Sequence, residues 1–108
     1  MIQEKLQRLA DLLRTQDDLV RATWLEEALS GSDEMIDACL VSNNLWGGPG
    51  SIADCGGMGN DSAENKYLRK QFRALLIELG NEQIRLGKVN IRTASWVEAF
   101  TKWRAMGI

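Results

Sequence analysis

Apolar residues recur every three or four positions along most of the chain, which is the spacing of one buried face of an α-helix. In the first such segment this face holds Ile2 and four leucines. The segments with helical spacing span about 2–14, 18–30, 33–43, 62–86 and 95–106. Only VNIRTA, residues 89–94, has any strand character, and it is too short to establish a sheet. The pattern therefore predicts an all-α fold, with about five helices in a single bundle-like domain spanning residues 1–108.

Short polar residues and glycines mark where these helices should begin and end. The pair Asp17–Asp18 and the residue Ser32 are placed to accept hydrogen bonds from the first free N–H groups of the second and third helices. Gly87 follows the longest segment and suits the left-handed conformation that ends many helices. The runs Asp61-Ser-Ala-Glu64 and Ser95-Trp-Val-Glu98 each fit a capping box, so they predict the starts of the last two helices.

A long glycine-rich loop separates the third predicted helix from the fourth. Residues 45–61, LWGGPGSIADCGGMGND, hold six of the ten glycines and the only proline. Loops of this length are most often functional or disordered. Because apolar residues such as Trp46 and Ile52 are interleaved with the glycines, we expect an ordered loop. Ser51 and Asp54 should bind its backbone N–H groups and start a short turn near Ser51. The loop alone leaves three roles open: structural, partner-binding or small-anion site.

Four cations share one face at the start of the fourth helix. Lys66, Arg69, Lys70 and Arg73 have helical i, i+3, i+4 and i+7 spacing. Cations oppose the dipole at a helix N-terminus by about 0.3–1 kcal/mol each, so a compensating charge is expected. Either the second and third helices supply it, or an anion or acidic partner lies between this face and the loop. The acids available in those helices are Glu26, Glu27, Asp33, Glu34 and Asp37.

The charges of the whole chain are divided between its two halves. Residues 1–64 hold twelve acidic against four basic residues, whereas residues 65–108 hold nine basic against three acidic residues. The halves can neutralise one another by packing together, or each can present a charged face to a partner.

The chain holds four tryptophans, several times the ordinary usage. Trp24, Trp96 and Trp103 lie on the apolar stripes of predicted helices, so we expect them in the core. Trp46 lies in the loop, where complete burial is harder. Gly80 lies on the apolar stripe of the longest helix, where it either kinks the helix or allows close approach by a neighbouring backbone. We favour close packing.

Composition excludes several kinds of chemistry. The chain has no histidine, which removes Ser–His and Cys–His nucleophilic pairs and most zinc sites. Cys39 and Cys55 have neither CxxC nor metal-ligand spacing and are expected as thiols. The net charge of −2 does not favour a nucleic-acid partner. The amphipathic N-terminus lacks a signal-peptide core, and no apolar run approaches the ~18 residues of a membrane span, so we expect a cytoplasmic protein without a membrane partner. We expect no cofactor, metal or catalytic residue.

One enzyme class matches part of the sequence. Glu34-Met-Ile-Asp37 resembles the ExxD half of the ExxE and ExxD helices with which MazG-type nucleotide pyrophosphohydrolases hold Mg²⁺. The first half of this pattern is missing, because Glu26 and Glu27 are adjacent and residue 30 is Ser30. The alternative function is therefore a small-anion or nucleotide-binding protein, with a Mg²⁺-dependent nucleotide pyrophosphohydrolase as one form of it.

A second resemblance covers ten residues of the loop. The run Leu45-Trp-Gly-Gly-Pro-Gly-Ser-Ile-Ala-Asp54 resembles the GGxGS-x-x-D motif of small bacterial proteins in which an aromatic residue precedes the double glycine. That group has no assigned enzyme activity, and some members look like immunity or accessory proteins of toxin systems or mobile gene cassettes. This chain has Pro49 where methionine is frequent and Ala53 where asparagine is common, so the resemblance assigns no role to position 53.

These observations predict a non-enzymatic protein–protein interaction module, which the resemblance suggests is an immunity-like or accessory protein of a bacterial toxin or mobile-element system. Trp46 beside Arg69 or Arg73 is the expected association surface, and homodimerisation is its simplest form. The expected partner- or anion-binding residues are Trp46, Gly47, Gly48, Gly50, Ser51, Asp54, Lys66, Arg69 and Arg73.

Overall fold

A computed structural model describes residues 2–55 and 63–107, and these residues fold into helices joined by turns. The helices are α1 (Ile2–Thr15), α2 (Leu19–Leu29), α3 (Asp33–Leu40), α4 (Asn43–Trp46), α5 (Ile52–Cys55), α6 (Ala63–Leu86) and α7 (Thr93–Ala105). The all-α class is confirmed, and the five predicted helices correspond to α1, α2, α3, α6 and α7. VNIRTA is not a strand: it forms a turn and the first residues of α7.

The long helix α6 lies at the centre of the packing. It contacts α1 on one side and α7 on another, while α1 also packs against α2, and α2 against α3. The buried apolar side chains of these helices form one cluster. Its largest fully buried members include Leu6, Leu9, Leu13, Leu25, Leu40, Leu45, Trp46, Phe72, Leu76 and Phe100. Because one core joins the long helices, removal of apolar surface from water stabilises all of them together.

Local capping explains most helix ends. The Asp18 carboxylate accepts a 3.3 Å hydrogen bond from the Arg21 N–H, and the Ser32 hydroxyl accepts a 3.2 Å bond from the Met35 N–H, as predicted. Gly87 has a φ of +74° and ends α6, which is also as predicted.

Helix α7 starts earlier than the sequence indicated. The capping box predicted at Ser95 is wrong, because Thr93 is the first helical residue and Ser95 lies inside the helix. Thr93 is completely buried, and its hydroxyl accepts a 3.0 Å hydrogen bond from the Asn90 N–H in the preceding turn. Packing of this turn therefore determines the start of the helix. Asp61 and Ser62 of the other predicted box lie outside the described residues.

The first part of the glycine-rich loop contains two single-turn helices, α4 and α5. Ser42 begins α4, since its hydroxyl accepts a 3.0 Å hydrogen bond from the Asn44 N–H. For this reason α3 ends at Leu40, three residues earlier than predicted. The short turn expected near Ser51 is α5. Residues 56–62 of the predicted loop lie outside the described residues.

Candidate functional site

Trp46 is part of the core. Its side chain is 0% exposed, so the expectation that a loop tryptophan is hard to bury is wrong. The ring packs against α6 at Gly80, where an added Cβ would lie 3.2 Å from the ring and would collide with Val97 of α7. Close packing at Gly80 is thus confirmed, although the neighbours are side chains and not backbone. Because the structure buries the whole ring, Trp46 offers no surface to a partner.

A buried glutamine that the sequence analysis missed connects Trp46 to two turns. The Trp46 indole N–H donates a 2.9 Å hydrogen bond to the side-chain oxygen of Gln83, which is 0% exposed. The amide N–H₂ of Gln83 donates to the carbonyl oxygens of Leu40 at 3.0 Å and Lys88 at 2.8 Å. The sequence did contain an indication that Gln83 is buried, because it follows Leu79 by four residues on the apolar stripe of α6.

Side chains bind the backbone of the glycine-rich loop, as the sequence predicted. The Ser51 hydroxyl donates a 2.9 Å hydrogen bond to the Gly47 carbonyl and accepts a 3.2 Å bond from the Asp54 N–H. The Asp54 carboxylate accepts a 3.1 Å bond from the Gly50 N–H, and the Arg21 guanidinium donates a 2.8 Å bond to the Gly50 carbonyl. These backbone groups are therefore used within the fold.

The glycines of the loop serve close packing and turning. The Trp96 indole N–H donates to the carbonyl oxygens of Trp46 at 2.9 Å and Gly47 at 3.2 Å, which fastens the loop to α7. A Cβ at Gly47 would collide with the Asn43 carbonyl. Gly50 has a φ of +86°, which favours glycine. Hydrogen bonds and close packing therefore hold the described residues at Gly47 and Gly50 against the helices.

The loop and the basic face occupy different parts of α6. Trp46 contacts α6 at Gly80 and Gln83, seven and ten residues beyond Arg73. This separation is about 10–15 Å along the helix axis. Gly48 lies close to the turn before α7, since a Cβ added at Gly48 would lie 3.7 Å from a guanidinium nitrogen of Arg92. The described loop residues therefore pack on α2, the end of α6 and α7, while the basic face lies near the start of α6.

A basic cleft lies between the first half of α6 and the end of α7. Its volume is about 370 Å³. Arg73 is only 9% exposed, and its guanidinium carbon lies 4.7 Å from the centroid of the Trp103 ring. This distance allows a cation–π interaction that positions the charge. The cleft is lined by Lys70, Gln71, Arg73, Ala74, Arg104 and Gly107.

Positive charge is concentrated around this cleft. Burial lowers the pKa of Arg73, and the neighbouring charge of Arg69 lowers it further. An arginine nevertheless remains protonated at neutral pH. The sequence analysis identified the α6 cations but missed Arg104, since only tertiary packing brings the last turn of α7 to α6. The cleft can attract anionic groups and bind carboxylates through arginine.

Two of the five acidic residues expected to neutralise this face, Glu26 and Asp37, bind other cations. Arg14 of α1 donates two hydrogen bonds to Glu26, and these lower the pKa of that carboxyl. Asp37 accepts a 2.9 Å bond from Lys88. Within residues 2–55 and 63–107, no three acidic or cysteine side chains lie close enough together to hold a metal ion. Glu27, Glu34 and Asp37 therefore do not form the group of carboxylates that the Mg²⁺-dependent alternative would need.

Cys39 is a buried thiol in α3. Burial raises the pKa of this thiol to about 11, which disfavours the reactive thiolate. Cys39 therefore serves packing within the apolar cluster.

No helix in the described part of the chain combines the length and apolarity that crossing a membrane requires. In comparisons with protein-family models, curated proteins and solved structures, the chain matches none of them.

Proposed function

We propose that this chain is a non-enzymatic protein–protein interaction module that binds an acidic partner protein through the basic cleft of α6 and α7. The observation that carries the proposal is the position of Arg73, which lies 4.7 Å from the Trp103 ring in a cleft that Lys70 and Arg104 also line. Arginine and tryptophan are enriched at the centres of protein interfaces, where a preorganised charge loses little entropy on binding.

Charge and shape support an acidic partner. The exposed side chains of Lys70 and Arg104 border the cleft, while Arg73 lies deeper. The long apolar stems of these residues can cover a partner's side chains while their charged ends face carboxylates. Complementary charge accelerates encounter and selects the partner's orientation.

We further propose that the protein works in the cytoplasm as a homodimer, in an immunity-like or accessory role in a bacterial toxin or mobile-element system. The resemblance of residues 47–54 to the GGxGS-x-x-D motif is the support for this role. Since those residues are tied into the fold by Ser51 and Asp54, the motif would preserve the scaffold that carries the binding surfaces.

Titration with poly-L-glutamate tests the basic cleft. The four tryptophans should give four indole N–H signals in a nuclear magnetic resonance spectrum, and Trp103→Phe identifies the signal of the ring that lies against Arg73. Poly-L-glutamate should shift the Trp103 signal saturably, with an affinity that falls as salt rises. The double variant Lys70→Gln/Arg104→Gln should bind about tenfold more weakly.

A double variant with the same change in net charge is the control. Arg8→Gln/Arg85→Gln removes two exposed cations from outside the cleft and should bind as the wild type does. Equal weakening by both double variants would show that only net charge matters and would contradict the proposal. If ATP or pyrophosphate shifts the Trp103 signal and poly-L-glutamate does not, the small-anion alternative replaces it.

A further inference from the structure

The basic cleft between α6 and α7 combines charged side chains with apolar walls. Lys70 and Arg104 are exposed, whereas Arg73 is largely buried. Carbon atoms form most of the lining surface of the cleft. Such atoms belong to Ala74, to Gly107 and to the long stems of the three cations. The cleft therefore offers a partner apolar surface as well as positive charge.

The cleft is larger than one carboxylate requires. Its volume is about 370 Å³. A water molecule takes up about 30 Å³ in the liquid, and pockets that hold small ligands begin near about 300 Å³. A carboxylate bound by Lys70 or Arg104 would leave the rest of the cleft to water. Because water finds few hydrogen-bond partners on carbon walls, its replacement by an apolar group is favourable.

The charge of the cleft has a single sign. Lys70, Arg73 and Arg104 line it, and no acidic residue belongs to the lining that the structure describes. Within residues 2–55 and 63–107, neither Lys70 nor Arg104 forms an ion pair with a carboxylate. These two exposed cations can therefore bind carboxylates of another molecule.

A depression on the other side of α6, against α1, provides a comparison. Its volume is also about 370 Å³, and it shares Gln71 and Ala74 with the basic cleft. Asp11 and Glu78 line this α1–α6 depression together with Arg8, so its charges are mixed. Of the two sides of α6, only the α7 side combines apolar walls with charge of one sign.

We propose that the basic cleft receives an aliphatic side chain of the partner protein, in a segment where carboxylates flank that side chain. This inference rests on the proposed function and names the segment that the acidic partner presents. The aliphatic group packs on Ala74 and on the stems of the cations, while the flanking carboxylates meet Lys70 and Arg104. Charge sets the orientation of the segment, and burial of the aliphatic group adds affinity that salt does not screen.

Two peptides of equal charge test this inference with the full chain. Each carries four glutamates around a central residue, which is leucine in one peptide and serine in the other. The leucine peptide should shift the Trp103 indole N–H signal with about tenfold higher affinity, because only its central side chain gains from leaving water. Added salt should weaken both peptides by the same factor and leave this ratio unchanged.

A variant that fills the cleft without changing its charge locates the leucine. Ala74→Phe should remain folded by circular dichroism, since Ala74 is only partly buried, and should bind both peptides equally. Thr15→Phe is the matched control, because Thr15 is exposed and lines the α1–α6 depression instead. It should keep the preference of the wild type for the leucine peptide.

Equal affinity of the wild type for the two peptides would overturn this inference and leave the acidic-partner proposal intact. A preference that survives in Ala74→Phe would place the leucine outside the cleft and would also overturn it. So would octanoate that binds as tightly as the leucine peptide, because the occupant would then be a free fatty acid. If neither peptide shifts the Trp103 signal, the proposed function fails together with this inference.

Discussion

At residue 83 a single amide side chain bridges three parts of the core: Trp46 of α4, the end of α3 and the turn after α6. Replacement of Gln83 by Met preserves much of its volume but leaves the Trp46 N–H and the Leu40 and Lys88 carbonyls without this partner. We expect the free energy of unfolding to fall by about 2–4 kcal/mol, measured by urea denaturation.

Gln71→Met is the control for this substitution, since Gln71 is exposed on the same helix. Its effect should stay within about 0.5 kcal/mol of zero. Equal stability of both variants would show that the Gln83 hydrogen bonds add nothing net to the fold.

Residue types alone were a weak guide to which polar or aromatic side chains are buried. The sequence correctly placed Ser51 and Asp54 as ligands of their own loop backbone, because those bonds span three or four residues. The burial of Trp46 and Gln83 depends on contacts between residues 37 positions apart, so local pattern could not establish it.

At the scale of elements, Gly80 allows α4 and α7 to approach α6. Alanine is favoured over glycine in a helix by about 1 kcal/mol. At this position, however, the added methyl group would lie 3.2 Å from the Trp46 ring and collide with Val97. Gly80→Ala should therefore lower the free energy of unfolding by about 1–3 kcal/mol in chemical denaturation.

A double-mutant cycle separates this collision from other causes. In a Val97→Ala background the Gly80→Ala substitution should cost less, because the colliding methyl group is gone. Asn81→Ala at the adjacent exposed position should be neutral or slightly stabilising. If Gly80→Ala raised the free energy of unfolding, the helices would be able to move apart to admit the methyl group at no cost in stability, and the prediction would be wrong.

Helix starts show the same division between local and tertiary causes. The pair Asp17–Asp18 and Ser32 could be identified from sequence, because Asp18 and Ser32 each cap an N–H three residues away. Ser95 satisfied the same rule but was overridden, since the buried Thr93 already accepts a bond from Asn90.

At the scale of the whole molecule, an ion pair joins the first helix to the second half of the chain. Lys5 of α1 donates a 2.6 Å hydrogen bond to Glu82 of α6. This bond lowers the pKa of Glu82 and raises that of Lys5. Because the Glu82 pKa is lower in the folded than in the unfolded state, its stabilisation is complete above the unfolded value near 4.3 and disappears as pH falls below it.

Lys5→Met tests this pH dependence. The melting temperature of the wild type should fall between about pH 5 and pH 3, and the variant should show a shallower fall over the same range. Lys66→Met removes an exposed cation from α6 and should retain the wild-type slope. Identical slopes for wild type and Lys5→Met would assign the acid sensitivity to other carboxylates.

The sequence by itself determined the all-α class, the five long helices and the local ties of the loop, because helical spacing and capping act over three or four residues. It also located the cations of α6. Tertiary structure decided that Trp46 is buried, that Gln83 bridges the core, and that Arg73 lies against Trp103 in a cleft that Arg104 also lines. These contacts join residues that are distant in the chain. They form only when the helices pack together and exclude water from a common core.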